Sequence, residues 1–329
     1  MNPFQYVRSS GISGAIQSLL KEPNACFLAG GTNLIDLMKM GVVMPEKLVD
    51  INWLPLKGIE RIPGGGLRIG ALATNSEVAD HPLVLRDYPL LSLAINAGAS
   101  PQLRNMATVG GNMMQRTRCP YFFDTALPCN KRTPNSGCGA LQGYNRMHAL
   151  FGASDKCIAV NPSDMNVAMT ALEAIVYVKG PKGDRKIPFA DFHRLPGDHP
   201  EKDNMLERGE LIVAVDLPAA ALSKNVHYLK IRDRTSYAFA LVSVAAALKL
   251  DGARISDARL VMGGVAHKPW RLHASETFLK GQTVSEDTFA QAAQIAMQDA
   301  KAYEYNQFKL KLSPNVIRQA LKTASGLTS

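Results

Sequence analysis

One stretch, Ala107 to Asp164, limits what this chain can fold into. It opens with ATVGGN (Ala107–Asn112), runs through four of the chain's five cysteines, and closes with CIAVNPSD (Cys157–Asp164). Small residues around Gly110-Gly111 let a bound group approach the backbone closely, and Asn161-Pro162-Ser163-Asp164 is an Asx-rich turn. The two ends read as parts of one nucleotide-binding unit. The middle, at about residues 113–158, reads as an insertion with an inorganic site of its own.

The four cysteines of that stretch, Cys119, Cys129, Cys138 and Cys157, are spaced C-x9-C-x8-C-x18-C. Pro120, Pro128 and Gly137 flank three of them, and such residues break regular structure and free a thiolate to point at a metal. Four thiolates suffice for a [4Fe–4S] cluster or for zinc. Zinc sites commonly use close CxxC pairs, which this run lacks, so the spacing favours iron–sulfur. Arg116, Arg118, Lys131 and Arg132 offer charge to offset an anionic cluster. The competing reading is four unconnected thiols, or two disulfides in an oxidising compartment. Cys26 sits in an apolar strand and reads as a buried structural thiol.

Upstream lies a second glycine loop. Ala25–Leu28 reads as a strand, Ala29-Gly30-Gly31-Thr32-Asn33 as a tight turn, and Leu34 as the start of a helix. Such a corner can present free N–H groups to a phosphate, with Thr32 and Asn33 capping the helix or bonding the phosphate; otherwise it is only a turn. It fits neither GxGxxG nor the Walker pattern. Two small-residue loops, one in each of two subdomains, point to a nucleotide held in a cleft between them.

Around these loops the chain divides into three parts. Residues 1–62 alternate strand and helix (Phe4–Val7, Ser13–Lys21, Ala25–Leu28, Leu34–Lys39, Lys47–Ile51), a small α/β unit with parallel strands. The Gly64–Gly66 run marks the first boundary. Residues 63–218 hold a strand from Leu67 and a helix capped by Thr74 or Asn75. They also hold a helix over Tyr88–Gly98, the cysteine insert, and a strand at Ile158–Val160. Asp164 then either caps the helix over Met165–Met169 or accepts from a ribose hydroxyl or a ring N–H. Antiparallel strands at Ala174–Val178 and Leu211–Val215 follow. Residues 219–329 form a C-terminal layer of three strands with a helical bundle, in which Ser285 caps one helix and Ser313-Pro314 opens the last. The fold class is mixed α+β.

With 329 residues and 46% hydrophobic content the chain can bury a full core. No apolar run is long enough for a membrane span, and the N-terminus has no export-signal pattern. The chain is expected to be periplasmic if a signal-bearing partner carries it out, and cytoplasmic otherwise. Its net charge of +9 fits a generally basic surface or a docking face for an acidic protein. Nucleic acid has little support, since the basic residues are dispersed and no binding motif is present. No serine has a histidine at a spacing that argues for a triad.

AGGTNL (Ala29–Leu34), ATVGGN and NPSD (Asn161–Asp164), in this order, resemble the FAD-binding medium subunit of the xanthine dehydrogenase and carbon monoxide dehydrogenase family of molybdenum hydroxylases. GELI (Gly209–Ile212) and Lys230 before Arg232 fit the same pattern. The insert is similar to that of the flavin and [4Fe–4S] subunit of three-subunit periplasmic aldehyde oxidoreductases, and RDRTSYAFALVSVA and GGVAHKPWR agree with that type. The flavin subunit of 4-hydroxybenzoyl-CoA reductase also has a cluster insert.

The resemblance implies a two-part FAD-binding domain of the vanillyl-alcohol-oxidase and xanthine-dehydrogenase type. It implies that Ala29, Gly30, Gly31, Thr32, Asn33 and Leu34 wrap the FAD diphosphate. Thr108, Gly111 and Asn112 would contact the flavin end and phosphates, and Asp164, Ile212 and Lys230 would complete the pocket. Cys119, Cys129, Cys138 and Cys157 would hold the [4Fe–4S] cluster. Gly98 falls where a relative can place an aromatic ring over the flavin. The implied partners are a large molybdenum-cofactor subunit and a small [2Fe–2S] subunit, as a heterotrimer or a dimer of one. Aldehyde oxidation on the large subunit would send electrons through the [2Fe–2S] centres to FAD here, and on to an external acceptor. A stand-alone iron–sulfur flavoprotein reductase and a basic scaffold with a structural metal are the alternatives.

Overall fold

The computed structural model describes residues 1–327. Near the N-terminus, β1 (Gln5–Arg8), β2 (Ala25–Leu28) and β3 (Lys47–Asp50) form a parallel sheet in the order β1-β3-β2. Helices Ile12–Leu20 and Leu34–Lys39 make the crossovers that parallel strands require. Ala15, Ile16 and Leu19 line one face of the first helix and bury it against Val49 and Ile51. β2 lies at the edge of this sheet, beside β3, and its C-terminal end runs directly into the glycine loop.

A second sheet is antiparallel, with order β4-β5-β8-β6-β7. Its strands are β4 (Ile59–Arg61), β5 (Leu67–Gly70), β6 (Ile175–Gly180), β7 (Gly183–Pro188) and β8 (Leu211–Leu217). It takes in Ile59–Arg61, which lie before the Gly64–Gly66 turn. Thr74 caps helix Asn75–Asp80 in a capping box with Glu77. Helices Asn75–Asp80, Pro89–Ala97 and Asp164–Ala171 pack on this sheet around Val78, Leu91, Ile95, Met169 and Val215.

The third sheet has order β12-β11-β10-β9, from β9 (Asn225–Ile231), β10 (Val242–Asp251), β11 (Arg254–Gly263) and β12 (Trp270–Arg271). It has four strands where the sequence suggested three; β12 is two residues long and too short to show an alternating pattern. Along β10, Ala245 and Ala247 face the second-sheet core, while Val242, Val244, Ala246 and Leu248 face the C-terminal helices. Burial on both faces is why this strand reads as an unbroken apolar run.

Two local expectations fail. The last helix is Phe308–Ser325, with Pro314 inside it and not at its first turn. Lys309, Val316, Ile317, Ala320 and Leu321 are all buried from that helix, and this packing overrides a proline that costs roughly 3 kcal/mol in a helix interior. Ile158–Val160 belongs to no strand, the Ile158 carbonyl accepting from the Ala149 N–H at 2.9 Å. Among the described residues no helix is long and apolar enough to cross a membrane.

Candidate functional site

The two glycine loops meet. A Cβ built on Gly30 would stand 1.8 Å from the Met106 carbonyl oxygen and 3.3 Å from Ala107 Cα, so the first loop lies directly on the backbone leading into the second. Gly31 takes φ +73°, the left-handed region that glycine enters without strain. Between the loops opens a cleft of about 500 Å³, lined by Ala29, Gly30, Gly31, Thr32, Asn33, Leu34, Thr108, Gly111 and Ile212. That volume suits a cofactor-sized ligand.

Asn33 stands at the N-cap of helix Leu34–Lys39 but makes no side-chain capping bond, so of the two roles the sequence offered this loop the cap is not taken up by that side chain. Asn33 Oδ1 instead accepts from the Arg116 N–H at 3.0 Å. Its Nδ2 is buried without a protein partner on the cleft wall, a donor left for a bound group. In the second loop Thr108 caps helix Val109–Met113, its hydroxyl oxygen accepting from the Gly111 N–H at 3.2 Å. Asn112 Oδ1 accepts from Ser163 Oγ at 2.6 Å and Gln115 Nε2 at 2.7 Å, which ties the GGN loop to the NPSD turn.

Ser163, not Asp164, caps the following helix by accepting from the Asn166 N–H. Asp164 is therefore free to pair elsewhere. Its Oδ2 meets Lys230 Nζ at 2.7 Å, and its Oδ1 accepts from the Tyr228 hydroxyl at 2.7 Å. The Lys230 and Asp164 side chains are 4% and 8% exposed, so this is a buried ion pair. Burial, then the Asp164 charge, push the Tyr228 phenol well above its ordinary pKa. Lys230 also donates to the Ala97 carbonyl. A Cβ on Gly98 would lie 3.2 Å from Asp164 Oδ2, so the carboxylate occupies the space beside that glycine.

Asp164 borders a second cavity, of about 150 Å³, together with Ser163, Arg118, Cys119, His148 and Phe239. Of the proposed binding residues, Ala29–Leu34, Thr108, Gly111 and Ile212 line the larger cleft and Asp164 the smaller. Asn112 links them through Ser163, and Lys230 reaches the smaller through Asp164. Tyr228 and Phe239 were not singled out from the sequence. Tyr228 had a signal, since it lies two residues before Lys230 on one face of β9.

Lys230→Met is expected to destabilise the fold by roughly 3–5 kcal/mol, because it leaves Asp164 buried without its cation. Denaturant unfolding of the ligand-free variant checks this, and a midpoint within error of the parent's contradicts it.

In the insert, Cys129 and Cys138 face each other across an isolated antiparallel bridge. Cys119 stands at the N-cap of the turn Pro120–Phe123, and its carbonyl accepts from the Phe122 N–H at 3.0 Å. The Cys138 carbonyl accepts from the Leu141 N–H at 3.3 Å, and the Cys157 carbonyl from the Ser154 N–H at 3.2 Å. All five cysteines are free thiols. Burial pushes the Cys119 thiol up to about 12 and Cys157 up to about 11, with neighbouring thiols adding to both shifts. His148 Nε2 lies 3.2 Å from Cys119 Sγ and His267 Nε2 3.3 Å from Cys157 Sγ. Among the described residues no three His, Cys, Asp or Glu side chains are placed to share one metal ion.

Residues 2–220 match the family described as the FAD binding domain in molybdopterin dehydrogenase, and residues 227–324 the CO dehydrogenase flavoprotein C-terminal domain. The chain is 49% identical to the aldehyde oxidoreductase FAD-binding subunit PaoB of Escherichia coli K12 over 327 residues, 98% of this chain and 99% of that protein. It is 28% identical to the glyceraldehyde dehydrogenase medium chain of Sulfolobus acidocaldarius, covering 86% of this chain and 83% of that one. Among solved structures, quinoline 2-oxidoreductase from Pseudomonas putida 86 superposes with TM-score 0.76 at 26% identity, covering 99% and 98% of the two chains. Carbon monoxide dehydrogenase from Hydrogenophaga pseudoflava, at 24% identity and TM-score 0.78 over 100% and 99%, shares the fold. With matches across both of its parts, the chain belongs to the FAD-binding medium subunits of the xanthine dehydrogenase and carbon monoxide dehydrogenase family of molybdenum hydroxylases, and is a subunit of an oxidoreductase.

Proposed function

We propose that this chain is the FAD- and [4Fe–4S]-carrying electron-transfer subunit of a molybdenum-dependent aldehyde oxidoreductase. The observation that carries the reading is 49% identity to an aldehyde oxidoreductase FAD-binding subunit over 327 residues, a length that spans the cysteine insert as well as both flavin loops. The flavin, when bound, supplies the junction between one- and two-electron steps. The chain's own residues bind and orient it: the glycine loops leave room for a diphosphate, and the Asp164–Lys230 pair fixes the far end of the site. On this reading the partners are a large molybdenum-cofactor subunit and a small [2Fe–2S] subunit, and an external acceptor takes the electrons away.

The cluster assignment rests on the four thiols of one insert, two of which lie beside a histidine nitrogen. Thiolates hold an iron–sulfur cluster, and polar contacts to sulfur with a shell that limits water tune it. Binding would release the protons that burial keeps on the thiols. Cys119 and Asp164 border the same cavity, which supports a short path between cluster and flavin.

Cys129→Ser is expected to bring iron well below four per chain while part of the FAD stays bound, because the glycine-loop cleft has separate contacts. Iron, sulfide and flavin analysis of anaerobically purified protein tests this. Unchanged iron removes Cys129 from the ligand set, and zinc in place of iron in the parent protein overturns the cluster reading.

A further inference from the structure

The Asn33 amide is set from outside its own loop. An amide side chain presents an acceptor on one side and two donors on the other. Because Asn33 Oδ1 takes the Arg116 N–H, Nδ2 is the end left on the cleft wall. The opposite rotamer would set the amide donors against the Arg116 N–H and turn an acceptor toward any phosphate in the cleft.

Arg116 is itself firmly held. Its Nε donates to Asp203 Oδ2 at 2.6 Å, its Nη2 reaches the Glu201 carbonyl at 3.3 Å, and its guanidinium lies 4.7 Å from the centre of the Phe122 ring. Asp203 Oδ1 takes Lys131 Nζ at 2.5 Å, and Lys131 also donates to the Pro200 carbonyl. The Lys131 side chain is 2% exposed. Burial pushes the Asp203 carboxyl up, but Lys131 and Arg116 together hold it below the usual carboxylate range. One carboxylate therefore clasps two basic residues of the insert, and one of these supplies the N–H that orients Asn33.

We propose that Arg116, anchored by Asp203, is a positioning residue for the FAD diphosphate, acting through its backbone N–H to hold the Asn33 amide with its donor end toward the phosphates. The inference rests on the assignment of the glycine-loop cleft to FAD and extends it to Arg116, which also lines that cleft, and to Asp203 behind it. It also gives the insert a role in flavin binding that is independent of any metal.

The test is a double-mutant cycle read as FAD affinity, by titrating FAD into the full-length chain stripped of flavin and following fluorescence. Asn33→Ala is expected to weaken FAD binding roughly tenfold, the scale of one hydrogen bond to a charged acceptor, and Arg116→Met, which keeps the backbone N–H but frees it from the Asp203 anchor, by a measurable part of that. If Arg116 acts through Asn33, the double variant binds no more weakly than Asn33→Ala alone. Arg116→Lys, which keeps a cation for Asp203, recovers most of the affinity. Asp203→Asn strands the buried Lys131 and can unfold the chain, so the Arg116 pair of variants carries the test. Multiplicative losses in the double variant, or parental affinity in Arg116→Met, overturn the proposal. A parent chain that fails to bind FAD overturns the cleft assignment itself, an outcome no Arg116 variant can mimic.

Discussion

Gly30→Val is expected to abolish FAD retention, the largest effect of any single substitution in the cleft. The sequence suggests that valine would intrude on the diphosphate. The structure supplies a stronger reason: the first atom of any side chain at this position lands 1.8 Å from the Met106 carbonyl oxygen and 2.8 Å from its carbon. These are backbone atoms of the segment entering the second loop, so no side-chain rotation relieves the clash. The two loops must part, and parting them takes apart the cleft they line. Gly31→Ala is expected to be milder. Its Cβ meets the ends of Ile35 and Leu28 at 3.1 and 3.3 Å, which can shift, and the left-handed backbone adds roughly 1–2 kcal/mol. Gly41→Ala, at φ +71° with nothing within 4 Å, controls for backbone strain alone. Flavin-to-protein ratio after gel filtration orders the three. Stoichiometric FAD in Gly30→Val with a parental unfolding midpoint would show that the loops do not meet as described.

Much of this site is legible in the sequence because its motifs are local. AGGTNL, ATVGGN and NPSD each place small or turn-forming residues where the backbone must bend or be approached, and the order of strands and helices before Gly64 follows from alternation alone. Long-range pairings are not legible. Nothing near Asn33 indicates that its acceptor is spent on Arg116, 83 positions away, or that Asp203 clasps Arg116 and Lys131. Ser163 and Asp164 are both good helix caps by type. Lys230 and Tyr228, from a different sheet, draw Asp164 away and leave the cap to Ser163. Ser313-Pro314 has the form of a helix start, yet the helix begins at Phe308 because Lys309 is carried inside, donating to the His148 and Gly264 carbonyls. Burial lowers that lysine to about 7. Local rules fail where a distant partner decides the geometry.

The isolated chain is expected to bind FAD yet to oxidise no aldehyde. Turning an aldehyde into a carboxylic acid adds an oxygen from water, which calls for a base to activate the water and a site to polarise the carbonyl. The ionisable groups bordering the two cavities are committed elsewhere. Asp164 is held by Lys230 and Tyr228, Arg116 by Asp203, Arg118 by Asp36, and His148 lies against Cys119. Glu210 pairs with Arg185, Glu207 with Lys182, and Arg208 donates to the Leu19 and Glu22 carbonyls. The remaining thiol, Cys26, is pushed above its ordinary pKa by burial, which disfavours the thiolate a nucleophile needs. On this reading a flavin bound among these groups would have no buried, unpaired base beside it to activate a water. Anaerobic mixing of the FAD-loaded chain with an aromatic aldehyde should leave the flavin absorbance unchanged, while a chemical reductant bleaches it and a dye restores it. Adding the large molybdenum and small [2Fe–2S] subunits should make the bleaching depend on aldehyde. Bleaching by the chain alone at a catalytic rate, in a sample free of molybdenum, would make it an aldehyde-oxidising flavoenzyme in its own right.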